Sequence, residues 1–286
     1  MSSLRETKDR IGSVRNTLKI TSAMKLVASS KLHKAQKAIE SLRPYEQTLS
    51  EIYSELAPVA AFTRICSSAN PDAPVALLAV SSNNSLCGAF NVNVIKAADE
   101  FMRGLGGREV KVFAVGKKIY DAMRKALPSG VEDLSEMLVR PAYPQSSALA
   151  TRLINAFLSG EYSRVVLIYN SFVSSSVQKV MVENFLPFEP ESSSAPIDEG
   201  DLKLKYILEP EPVEIATALL PQLLRMKLHA AILDSTAAEQ AARTVAMQAA
   251  SDNGERLLSE LTLEYNKGRQ EKITNEILDL VGGSAQ

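Results

Sequence analysis

The side chains able to do chemistry are few and scattered. His33 lies within KLHKAQK and His229 just ahead of an alanine-rich stretch; neither has the context of a general base, and there is no G-x-S-x-G. The only cysteines, Cys66 and Cys87, are too few for a zinc cage or a disulfide framework and read as packing residues. Carboxylates are plentiful, but their spacing singles out no pair. A phosphate cradle would sit in the loop SSNNSLCGAFN (81–91), which follows a short apolar run. That loop holds one glycine, Gly88, and matches neither G-x-G-x-x-G nor G-x-x-x-x-G-K-[ST]. GLGG (104–107) precedes a strand pattern and reads as a turn. No catalytic or metal-binding residue is assigned, and no cofactor is expected.

Charge distribution is more informative. The net charge is −1, yet residues 1–43 carry ten lysines and arginines against Glu6, Asp9 and Glu40. Residues 183–214 carry nine acids against Lys203 and Lys205. Such a basic stripe seeks an anionic partner, either nucleic acid or an acidic protein surround, and charge alone does not choose between them. The absence of tryptophan, of a nucleic-acid motif and of a net positive charge weighs against nucleic acid.

The elements that would position these residues fall into three blocks: a helix over 1–57, an α/β segment over 74–209, and a second helix over 210–286. In the first block, a three-four alternation runs through Leu4, Thr7, Ile11, Val14, Leu18, Thr21, Lys25, Ala28, Leu32, Ala35, Ile39, Leu42, Glu46, Leu49, Tyr53 and Leu56. Twelve of these sixteen are apolar, the signature of a coiled-coil seam. Such a helix would reach roughly 80 Å at 1.5 Å per residue, so it needs a long partner. Pro44 is expected to bend or interrupt it.

The pattern over 213–281 supplies that partner, with Pro221 as an expected kink. The alanines of 230–250 permit close helix approach. An antiparallel pair follows. Near its C-terminal end the inward stripe is expected to run Leu263, Asn266, Gln270, Ile273, Ile277, with two amides where a coil prefers leucine.

The middle changes period. PVALLAV (74–80), EVKVFAVG (109–116) and RVVLIYN (164–170) read as strands separated by helices at 91–103, 117–126 and 145–159. This implies a mostly parallel, three-layer α/β (Rossmann-like) domain. SSSVQKVMVENF (174–185) reads as a strand beside the third, LKYILEP (204–210) as the last, and 187–201 as a mobile loop.

Four motifs carry a resemblance. RIGSVRNTLKITSAMKLVASSKLHKAQ (10–36) resembles the opening helix of F-type ATP synthase γ subunits. LDSTAAEQAARTVAMQAASDN (233–253) with LTLEYNKGRQEKITNEILDLVGG (261–283) resembles their closing helix. SSNNSLCGAFN is similar to the family's SSD-[RK]-GLCG-x-[FY]-N, and YNSFVS (169–174) to its YN-[KR]-F-x-S. They occur in family order across essentially the whole chain. One departure is Asn83-Asn84-Ser85 in place of D-[RK]-G, which puts the shape of that loop in question.

The resemblance implies a non-catalytic central-stalk rotor that transmits torque between a membrane c ring and an α/β hexamer in a proton-translocating ATP synthase. It implies partners: the α and β subunits, the ε subunit and the c-subunit ring, with the membrane reached only through that ring. It also implies contacts, residue by residue. Met24, Lys25, Arg243, Arg269, Gln270 and Thr274 would face the hexamer; Tyr206 and Glu209 would face ε and the c ring. With no targeting segment evident, the expected location is peripheral, on the cytoplasmic face of a bacterial inner membrane. Two other classes compete. A coiled-coil adaptor would bind DNA in a salt-sensitive way through residues 1–43. An α/β enzyme dimerised by its helices would bind nucleotide alone.

Overall fold

The computed structural model describes residues 4–56, 70–189 and 206–283. They fall into two compact units: residues 1–29 with 243–286, and residues 30–242. Two long helices contribute to both, α1 (Leu4–Leu56) and α5 (Pro212–Gly283).

In the larger unit, five strands form one sheet in the order β3-β2-β1-β4-β5. They are β1 (Val75–Val80), β2 (Val110–Val115), β3 (Val131–Asp133), β4 (Arg164–Phe172) and β5 (Gln178–Leu186). The first four run parallel, and β5 closes the edge antiparallel to β4. Central β1 pairs through Val75 with Val110 on one side and Arg164 on the other. All six of its residues are buried, as a strand covered on both faces requires.

Alternation along β1 feeds two cores. Leu77 and Ala79 pack with Val94 and Ala98 of α2 (Phe90–Gly104) and with Ile119 and Met123 of α3 (Lys117–Ala126). Ala76, Leu78 and Val80 join a larger cluster with Leu153 and Phe157 of α4 (Tyr143–Leu158), Tyr53 and Leu56 of α1, and Leu220, Leu224 and Leu228 of α5. The inner parts of the terminal helices thus cover one face of the sheet. The alanines of α5 fit this double contact: Ala237 packs on Ala35 and Ile39 of α1, while Ala238 and Ala242 pack on Cys87 and Phe90.

Several expectations are corrected. Pro44, one of whose expected effects was a break, lies inside an uninterrupted helix, and Pro221 likewise sits within a continuous one. An interior proline costs about 3 kcal/mol. Beyond Pro44, however, Leu49, Tyr53 and Leu56 are all buried, each contributing roughly 1.5–3 kcal/mol. Leu220, Leu223 and Leu224 do the same around Pro221. Residues 206–210 form no strand: Tyr206 and Leu208 turn to the core and Ile207 outward, but no ladder pairs them. The short β3 and a 3-10 turn at Ser135–Leu138 were not expected. Cys66 and nearly all of 187–201 lie outside the described residues.

The loop after β1 has a structural job. Asn83 Oδ1 accepts the Lys117 amide (3.0 Å), the Ser82 carbonyl accepts that of Lys118 (3.1 Å), and Ser81 Oγ accepts that of Ile119 (2.9 Å). Three otherwise orphaned donors at the start of α3 are thereby satisfied. Asn83 also donates to the Ser135 carbonyl, so the residue that departs from the family motif holds its own loop in place. Ser81 lies so close to Gly116 (φ +121°) that a Cβ there would meet its Oγ at 2.6 Å.

Candidate functional site

The smaller unit is a two-helix arrangement whose register can be read from its contacts. Leu4 approaches Gly268, Leu18 approaches Gly254, and Thr21 Oγ1 bonds Ser251 Oγ at 2.8 Å. Each step up α1 is matched by an equal step down α5, so the two run antiparallel in constant register. All sixteen positions of the α1 stripe, in whichever unit they fall, are buried or half-buried. On α5 the seam is Met247, Ser251, Gly254, Leu258, Leu261, Tyr265 and Gly268, again at spacings of four and three.

That seam corrects the expected inward stripe. Leu263, Asn266, Gln270, Ile273 and Ile277 are all exposed, Leu263 at 74%. The two amides therefore do not replace core leucines; they lie on the outer surface beside apolar residues. Past Gly268, every position from Arg269 to Leu278 is exposed.

The six residues expected to face the hexamer all belong to this unit. Lys25 is half-buried, and its Nζ donates to Gln248 Oε1 at 2.8 Å. Gln248 Nε2 in turn donates to Asp252 Oδ1 at 2.6 Å, so a cation, an amide and a carboxylate form a chain across the pair. Met24 is half-buried beside it. Arg243 is only 8% exposed, so its guanidinium belongs to the packed part of the helix. Arg269, Gln270 and Thr274 are exposed, with Thr274 Oγ1 bonded to the Gln270 carbonyl one turn back (2.9 Å). Tyr206 and Glu209 belong to the larger unit. Tyr206 is half-buried against the core, and Glu209 is exposed.

Residues that sequence reasoning missed surround Lys25. Leu26, Val245, Gln248 and Asp252 line a shallow groove with it, and Ile20, Leu26 and Val27 are exposed large apolar side chains on α1. Their signal was present: apolar residues off the seam in a paired helix have no internal partner. The basic residues of α1 other than Lys25 are exposed too. His33 is exposed; His229 is buried, with Nδ1 3.1 Å from Ser146 Oγ and its ring edge-on to Tyr143, and burial lowers its pKa. Cys87 is buried among apolar neighbours. Among the described residues no cluster of three metal-ligating side chains occurs, and no helix is long and apolar enough to cross a membrane.

This surface offers hydrogen bonds, charge and apolar contact along a helix pair, which suits binding rather than bond-making. Comparison with known proteins agrees in detail. A family model described as ATP synthase matches residues 3–285. The ATP synthase gamma chain of Bacteroides thetaiotaomicron is 44% identical over 301 residues, covering 100% of both chains. That of Flavobacterium psychrophilum is 41% identical, covering 99% of this chain and 98% of its own. Among solved structures, a chain of the Euglena gracilis mitochondrial ATP synthase (OSCP/F1/c-ring, rotational state 3) superposes with a TM-score of 0.65 at 20% identity, over 99% of this chain and 93% of that one. Its likeness is one of fold. Matched nearly end to end by the family model and by relatives above 40% identity, the chain belongs to the ATP synthase gamma chain family.

Proposed function

We infer that this chain is the central-stalk rotor subunit of a proton-translocating F-type ATP synthase. It transmits torque between a c ring and an α/β hexamer and has no active site of its own. The observation that carries this reading is the smaller unit's outer surface. Its seam is internally satisfied, yet Ile20, Leu26, Val27, Leu263, Ile273 and Ile277 are exposed. Apolar area that the helix pair does not cover belongs to a partner.

In this reading the unit stands inside the hexamer. Met24 and Lys25 face its acidic loops, Arg269, Gln270 and Thr274 make exchangeable polar contacts, and Arg243 braces the helix behind them. Polar contacts of about 0.5–1.5 kcal/mol each can form and release as the rotor turns. Tyr206 and Glu209 face ε and the c ring. Residues 1–57 and 210–286 act as the shaft and 74–209 as the foot. The protein would sit peripherally on the cytoplasmic face of a bacterial inner membrane, touching the bilayer only through the ring.

Reconstitution tests this. The purified chain mixed with its α and β subunits should give a complex with one copy of it and steady ATP hydrolysis. Folded α and β that assemble and turn over equally well without it would overturn the reading.

A further inference from the structure

A cavity of 590 Å³ opens in the larger unit where α1, α5 and the β4–β5 hairpin meet, and none of the residues assigned above lines it. Its volume lies within the ~300–1,000 Å³ of small-molecule sites. The floor is apolar, built from Leu42, Leu167, Phe185 and Leu224. The walls are charged and uneven in sign: Glu46, Glu183, Glu189 and Asp234 against Arg43 and Lys227.

The two cations are already engaged. Lys227 Nζ lies 5.2 Å from the centre of the Phe188 ring, and Arg43 acts on Asp234. Of the carboxylates, Asp234 is the less fully compensated. Asp234 Oδ2 accepts from Ser171 Oγ at 2.7 Å, but its buried Oδ1 has no hydrogen-bond partner of good geometry among the described residues. Glu183, at the exposed rim, accepts a 3.2 Å bond at Oε1 from the Tyr169 hydroxyl. Tyr169 reports the resulting field: burial first, then the carboxylates of Glu183, Asp234 and Glu46, push its pKa well up.

We propose that this cavity is a binding site for a small amphipathic cation, an ammonium group on an aryl or short alkyl tail. The tail would lie on Leu42, Leu167 and Leu224. The ammonium would sit between Glu46 and Glu183, over the face of Tyr169, where carboxylates and an aromatic ring both favour positive charge. An anion of the same shape meets a net negative wall, and a neutral analogue gains only the apolar contact. The site is independent of the rotor reading, since it needs neither the other subunits nor nucleotide.

The test uses the full-length chain and three matched probes, 4-phenylbutylammonium, 4-phenylbutan-1-ol and 4-phenylbutyrate, followed by calorimetry and by NMR of the leucine methyls. The ammonium should bind at least roughly tenfold more tightly than the alcohol, with the carboxylate weakest and shifts centred on Leu42, Leu167 and Leu224. E46Q with E183Q should remove that tenfold preference while leaving the alcohol's affinity unchanged. A230L, which fills the cavity from α5, should weaken ammonium and alcohol alike, and its far-UV spectrum provides the folding control. Equal binding of ammonium and alcohol, an unchanged preference in the double glutamine variant, or shifts confined to other parts of the chain would each overturn the proposal.

Discussion

Two glycines on the α5 seam allow a quantitative test of how the helix pair is packed. Alanine is favoured over glycine in a helix interior by about 1 kcal/mol. At Gly268 the added methyl would lie 3.4 Å from Leu4 Cδ2, an ordinary contact, so G268A should keep the whole gain. At Gly254 it would lie 2.8 Å from Leu18 Cδ2 and 3.2 Å from its Cγ, so Leu18 must leave its rotamer. That displacement costs roughly 0.5–1.5 kcal/mol and cancels the gain, leaving G254A near neutral. Removing the obstacle exposes the cancellation: in an L18A background, G254A should stabilise by about 1 kcal/mol. Positions 18 and 254 are then coupled by about that amount in a double-mutant cycle. Native-state hydrogen exchange of the seam amides is the assay, because it reads local stability, and about 1 kcal/mol slows exchange roughly fivefold. If G254A protects its neighbours as well as G268A does, or if the cycle closes without coupling, the seam does not pack in this register.

Four further outcomes follow from the same contacts. G116A should destabilise the α/β unit by about 3 kcal/mol or more in urea unfolding, since the new Cβ meets Ser81 backbone atoms as well as its Oγ at a φ that L-residues rarely adopt. T21V alone should cost about 1–2 kcal/mol by stranding the buried Ser251 hydroxyl, whereas T21V with S251A should restore most of it, measured by the same exchange assay. R269A with Q270A should lower coupled ATP synthesis in reconstituted vesicles while leaving the exchange protection of the seam unchanged, because both side chains are exposed. His229 titrates with a pKa lowered by burial, so the unfolded state binds its proton first as pH falls. Stability should therefore be complete above the unfolded value of about 6.5 and decline below it. H229Q should flatten that slope in pH-dependent melts.

Much of the fold was legible because its signals are local. The apolar β-branched runs that became β1, β2 and β4 are bounded by turn residues, and α3 runs from Lys117 to Ala126 as its pattern foretold. What local pattern could not carry was compensation at a distance. Pro44 argues for a break, and only the burial of Leu49, Tyr53 and Leu56 against the sheet outweighs it. The segment VED has little strand propensity; β3 exists because Val112, Phe113 and Ala114 of β2 offer it an edge. Residues 206–208 alternate like a strand, yet no described strand pairs with them. The site was legible in its residue types and less so in its geometry. Exposure of Arg269 followed the pattern, whereas the exposure of Gln270, expected on the inward stripe, and the burial of Arg243 did not.

The misplaced stripe on α5 has a physical cause. Apolar periodicity finds the side of a helix that avoids water, and in a single chain that side is normally the intramolecular seam. Here the seam is built partly from Ser251, Gly254 and Gly268, small residues that let Leu18 and Leu4 of α1 approach, and from hydrogen bonds such as Thr21 to Ser251. Leucines and isoleucines at 263, 273 and 277 lie off it and exposed. A pattern scored by hydrophobicity therefore selects the outward face. The discrepancy is itself informative: a helix pair whose seam mixes small and polar side chains with apolar ones, while it keeps further large apolar ones outside, conforms to two sets of neighbours at once. Chain-internal packing sets the register, and the surface left over is shaped for something the chain does not contain.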